Sequence, residues 1–173
     1  MLTKNFYSFM GSALSGSSTS ARFILVDGSG YTAPITTSDS PPFSAMNIWS
    51  YSVEKKGVSF GTGTTPATAS DYVLESILDN TKINVSVPSA VSYSRGDTYD
   101  EYSVTFGVTN KTAEAITISE IGLTAMPYKG SSSSGTTNYA LVDRTVLDAP
   151  VTIPAGQSKQ ITYTIRFNYG DAV

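Results

Sequence analysis

The sequence predicts an all-β protein, an antiparallel β-sandwich of immunoglobulin-like or jelly-roll-like type with an N-terminal arm. Three observations carry this. Short apolar-alternating segments recur along the second half of the chain, divided by turn signals about every eight to twelve residues. Sustained helical periodicity is absent after Gly11, apart from a possible single turn in "SDYVLESIL". Hydrophobic residues make up 40% of the 173, enough for a core, while charged residues make up only 14%, against roughly a quarter in an average soluble domain.

Residues 1–20 read as a flexible arm and residues 21–173 as one sandwich domain. Leu2, Phe6, Phe9, Met10 and Leu14 are spaced as one face of a short helix. The polar run "SGSSTS" follows. A segment this short cannot bury its apolar face alone, so Leu2, Phe6, Phe9 and Met10 are the candidate protein-interaction residues, expected to dock on a neighbouring subunit.

"ARFILVDGSGY" reads as a buried strand closed by a Gly-rich turn, and "YTAPITTSDSPPF" as loop or edge strand. The segment after Ala45 holds the only tryptophan, Trp49, and ends in the strand-like "GVSFG". "INVSV" places Ile83, Val85 and Val87 on one face, and "EYSVTFGVTN" does the same for Tyr102, Val104, Phe106 and Val108. In "EAITISEIGLTAM" the apolar parity changes between Ile118 and Ile121, which predicts a bulge. "SSSSGTTN" reads as a loop tip, and "YALVDRTVLDAPVTI" leads through the "PAGQS" turn into "KQITYTIRF". The expected core comprises Phe106, Val108, Ile121, Ile161, Tyr163 and Ile165.

Composition excludes whole classes of chemistry. With neither cysteine nor histidine, the chain has no disulfide, no Cys/His zinc site, no histidine base and no Ser-His-Asp triad. The net charge is −3 and Lys55-Lys56 is the only adjacent basic pair, so neither nucleic acid nor a membrane surface is an expected partner. The N-terminus lacks the apolar run of a secretory signal, which implies synthesis in a cytoplasm and makes the sequons at Asn84 and Asn110 chance matches.

The Gly-rich stretch "GTGTTPATASDYVLES" lacks the Gly-Lys-Ser/Thr ending of a phosphate loop and the long helix behind it. It reads as a shaped connection, with its glycines permitting a turn or bulge and Ser70 or Asp71 capping a single turn. "RGDTYDEY" gathers Asp97, Asp100 and Glu101, oxygen ligands that could suit calcium but lack the alternation of an EF-hand loop. A solvated turn is the preferred reading, so no cofactor or metal is expected. Arg95-Gly96-Asp97 matches an integrin-binding tripeptide, too short a match to carry weight.

Three segments in order, "FGTGTTPATASDYVLES", "SEIGL" and "LVDRTVLDAPVTIPAGQSKQITYTIRF", resemble a family of small structural proteins of tailed-bacteriophage virions. The resemblance covers about residues 58–167, and Ser131–Ser134 looks like an insertion within it. It implies a β-sandwich behind the Gly-Thr-Gly segment, a closing strand after the Pro-Ala-Gly turn and no catalytic residues. A virion location in the tail, neck or capsid surface, with other virion proteins and further copies of the chain as partners, is the corresponding expectation. Two other classes are set against it. The eleven tyrosines could serve a carbohydrate- or receptor-binding module. A glycosidase would need two convergent carboxylates, which no segment singles out.

Overall fold

A computed structural model describes residues 1–15, 20–34, 57–86, 90–125 and 139–168. Trp49, the linker residues 16–19 and the Ser131–Ser134 loop lie outside these residues. The described chain is nearly all antiparallel β with one short helix, consistent with an all-β, sandwich-like class. Its residues fall into two compact units, Met1–Leu78 with Thr117–Val151 and Asp79–Ile116 with Thr152–Val173.

The first unit contains helix α1 (Lys4–Ser15), the hairpin β1 (Ser20–Ile24) and β2 (Gly30–Pro34), and a sheet in the order β3 (Gly57–Gly61), β7 (Ile116–Ala125), β8 (Ala140–Ile153). The parity change in β7, which the sequence reads as a bulge, coincides with burial of both strand faces. Its pairing with β3 runs without interruption from Gly61↔Glu120 to Gly57↔Thr124, and every residue from Ile118 to Ala125 is buried. A strand covered on both faces has no solvent side to fill with polar residues, so its apolar residues need not alternate. Val58, Phe60, Leu74, Ile118, Ile121, Leu123, Leu141 and Val142 form this core.

The N-terminal segment is built into the same unit, where the sequence suggested a free arm. Leu2 bridges Asp143, the Thr3 amide donates to the Val142 carbonyl at 3.0 Å, and the Thr3 hydroxyl donates to the Leu141 carbonyl at 2.6 Å. Asn5 acts as a side-chain strand partner: its Oδ1 accepts from the Ile24 amide at 2.8 Å and its Nδ2 donates to the Ile24 and Leu141 carbonyls at 2.8 and 3.0 Å. These polar anchors lie between Leu2 and Phe6, the first two members of the apolar spacing.

In the second unit β6 (Tyr99–Asn110) is the central strand. It pairs with β9 (Ser158–Asn168) along one edge, and on the other with β4 (Ile83–Val85) near its end and β5 (Ala90–Arg95) near its start. Alternation is regular here: Val104, Phe106 and Val108 on β6 and Ile161 and Tyr163 on β9 face the core. Of the six expected core residues, Ile121 is buried in the first unit, and Ile165 is only half-buried because the apolar face opens toward the β5–β6 hairpin.

Asn110 closes the far end of β6. It is fully buried, donates from Nδ2 to the Glu114 and Ile153 carbonyls at 2.6 and 2.9 Å, and accepts at Oδ1 from the Thr112 amide and hydroxyl at 2.8 Å each. The second sequon is thus an asparagine-centred turn whose acceptor nitrogen is enclosed.

Candidate functional site

The densest set of charged groups surrounds Glu120, in the middle of β7. A carboxylate with no solvent exposure needs donors for both oxygens, and the chain supplies four. Oε1 accepts from the amides of Gly63 (3.1 Å) and Ser76 (2.8 Å), and Oε2 from the Glu75 amide (3.1 Å) and Arg144 Nε (2.8 Å). Arg144, on β8, is itself only 4% exposed. Its other nitrogens donate to Asp71 Oδ2 at 2.8 Å, the Thr65 carbonyl at 3.1 Å and Glu75 Oε2 at 3.4 Å.

The Gly-rich connection is shaped by this carboxylate. A Cβ on Gly61 would lie 2.4 Å from Glu120 Oε1 and 2.6 Å from the Ser76 carbonyl, and one on Gly63 would lie 2.6 Å from the same Oε1. Glycine is needed so that backbone can approach a buried side chain. The expected turn of helix at Ser70 or Asp71 does not form. Asp71 reaches backward, accepting from the Thr68 amide and hydroxyl at 2.9 and 2.7 Å, while Glu75 accepts from the Thr65 amide and hydroxyl at 2.8 Å each. Both carboxylates therefore fold the loop 62–76 over Arg144 in place of starting a helix.

Their titration follows. Burial pushes the Asp71 carboxyl up, but the Thr68 amide, the Arg144 guanidinium and the Thr68 hydroxyl together hold it below the ordinary aspartate value. The Thr65 amide and hydroxyl hold Glu75 down, with a smaller contribution from Arg144. Desolvation weakens the hold of Arg144 on its proton, and the hydrogen bonds to Asp71 and Glu120 outweigh it, so its pKa is raised. A glycosidase acid requires a carboxyl shifted upward; Asp71 and Glu75 are shifted the other way. Among the described residues every buried side-chain nitrogen and oxygen has a hydrogen-bond partner, those of this charged keystone included.

Sequence reasoning did not single out Glu120 or Arg144. The available signal was a charged residue inside an apolar strand run, Glu120 in "SEIGL" and Arg144 in "LVDRTVL", since such residues are seldom buried without partners.

The residues that were singled out are dispersed. Phe6 is buried in the first unit, Leu2 and Met10 are half-buried, and the Phe9 side chain lies outside the described set. Docking on a neighbour is therefore not how Phe6 is covered.

The acidic group at 97–101 does not converge. Asp100 accepts from both Arg95 Nε (2.8 Å) and an Arg95 terminal nitrogen (3.1 Å) and from the Tyr93 hydroxyl (2.8 Å), whereas Glu101 accepts from Arg166 Nε at 2.9 Å. Adjacent strand residues point to opposite faces, and no group of three potential metal-ligating side chains occurs among the described residues. The Tyr93 phenol is raised, first by its hydrogen bond to Asp100.

Comparison of the chain with protein-family models, with curated proteins and with solved structures gives no match. No helix among the described residues is long and apolar enough to cross a membrane.

Proposed function

We propose that the chain is a non-enzymatic structural subunit of a tailed-bacteriophage particle, assembling through protein–protein contacts in the tail, neck or capsid surface. One observation supports this above others. The three separated segments that carry the resemblance to such proteins meet at one keystone: Gly61, Gly63, Thr65, Asp71 and Glu75 come from the first, Glu120 from "SEIGL" and Arg144 from "LVDRTVL". Glycines, amides and guanidinium are each required there by the same buried carboxylate.

The reading also accounts for the use made of charge. Several ionic groups are paired internally, Arg144 with Glu120 and Asp71, Arg95 with Asp100 and Arg166 with Glu101. Scarce charge suits a subunit covered by neighbours.

Antibody raised against the purified chain tests the proposal. Gold-labelled antibody should decorate particles from a producing lysate at one fixed location, and peptides of the chain should appear in purified particles at constant ratio to the major capsid protein. Chain that accumulates in the lysate and is missing from particles would refute it.

A further inference from the structure

The two faces of the second unit's sheet are finished differently. On the polar face, hydroxyls pair across β6 and β9: Ser103 with Thr164 at 2.8 Å, Thr105 with Thr162 at 2.9 Å and Thr109 with Ser158 at 2.6 Å. Glu101 and Arg166 extend that row as an ion pair. The apolar face begins buried and ends open. Along β6, Val108, Phe106 and Val104 have no exposure, and Tyr102, next on the same face, is 40% exposed. Along β9, Ile161 and Tyr163 are buried, and Ile165 and Phe167 half-buried. Tyr93, directly opposite Tyr102 on β5, is 50% exposed.

The open end is ordered and mixed in character. The Tyr93 and Tyr102 ring centres lie 5.0 Å apart, and Phe167 meets Tyr102 edge-on at 6.4 Å. Arg95 and Asp100, cross-strand neighbours on this same face, form a two-pronged ion pair, with the guanidinium 5.9 Å from the Tyr93 ring centre.

We propose that this end of the β5–β6–β9 face is a self-association surface, and that its occupant is the same surface of a second copy of the chain. Tyrosine and arginine are the residue types enriched where interfaces draw their energy. A two-fold contact places residue i of one copy against j of the other and j against i. A patch holding one arginine beside one aspartate is complementary to itself under that operation: Arg95 of each copy meets Asp100 of the other. A patch of one sign would repel its copy and call for an oppositely charged partner. Arg95 and Asp100 are also held in place before contact, which lowers the ordering cost of association. The inference is independent of the virion reading, because it concerns the purified chain alone.

Sedimentation velocity of the full chain over a concentration series tests it, with melting curves as the check on folding. The wild type should dimerise reversibly. Arg95→Asp or Asp100→Arg alone should each weaken dimerisation about tenfold or more by setting like charges against each other. An equimolar mixture of these two variants should recover a mixed dimer, since opposite patches then face one another. Tyr93→Ser, which leaves the charges in place, should weaken association as well. A wild type that sediments as a monomer throughout overturns the proposal, as do reversal variants that associate like the wild type or a mixture that fails to recover. Glycan-array binding by a monomeric chain, lost in Tyr93→Ser, would also overturn it and assign the surface to a sugar.

Discussion

Arg144 Nε donates to Glu120 Oε2 at 2.8 Å within the first unit, and the two side chains are 4% and 0% exposed. A pair this deep gives up most of its hydration, so its net worth over an apolar pair of the same shape is small, while breaking it is costly. The two partners are not equivalent. Glu120 also holds the amides of Gly63, Glu75 and Ser76, whereas Arg144 keeps Asp71 and the Thr65 carbonyl if Glu120 is lost. Glu120→Ala should therefore cost about 3–5 kcal/mol, and more than Arg144→Ala. Urea midpoints of the two variants check the order; the reverse order would mean that the guanidinium, not the amide cradle, is the principal partner.

Gly61→Ala should destabilise by about 1–3 kcal/mol, the usual cost of forcing added volume into a packed site. The clash involves the Ser76 carbonyl at 2.6 Å as well as Glu120, so shortening the acid should not relieve it. Equilibrium unfolding of Gly61→Ala with and without Glu120→Asp distinguishes the two contacts.

The keystone also contributes to the acid limb of stability, beside Asp27 and Asp79, whose carboxyls are likewise lowered. The folded Asp71 and Glu75 carboxyls lie below their ordinary values of 3.8 and 4.5. A depressed carboxyl contributes stability in full above its unfolded value and loses it as pH falls through the folded one. Stability should thus fall below about pH 4.5, and Asp71→Asn should flatten part of that fall. Thermal melts between pH 2 and 7 provide the measurement. With no histidine in the chain, no comparable step should appear between about pH 5.5 and 7.

The legible parts of the fold were those with one wet face. β6 and β9 show regular alternation, and their buried residues Val104, Phe106, Val108, Ile161 and Tyr163 follow from it. β7 is buried on both faces, so its apolar pattern carries no parity from which a face could be read. Exposure along β9 depends on what lies opposite each residue, which separates half-buried Ile165 from buried Ile161 on one strand face. Phe106→Ala should accordingly cost more than Ile165→Ala, by the difference between a filled and a partly open site. The keystone escaped for another reason: four of its contacts to Glu120 and Arg144 run through backbone amides and a carbonyl, groups that every residue has and no sequence pattern marks.

The N-terminal segment gives the sharpest test of what the pattern missed. Its apolar spacing suggested an arm seeking a neighbour, yet Thr3, Asn5 and Phe6 are buried in the first unit. Asn5 bonds the Ile24 amide and carbonyl together with the Leu141 carbonyl, so it joins β1 to β8 in a way that alanine cannot. Leaving those groups unpaired should cost about 1–3 kcal/mol in Asn5→Ala, and Phe6→Ala should cost about 3–5 kcal/mol. Deleting residues 1–10 removes both anchors with the Leu2 bridge to Asp143, and should lower the unfolding midpoint by more than either substitution. Circular dichroism melts and urea titrations of the three proteins make the comparison. A truncated chain that melts with the full-length protein would return these residues to the role of an arm, and the hydrogen bonds of Asn5 would then contribute nothing to holding β1 against β8.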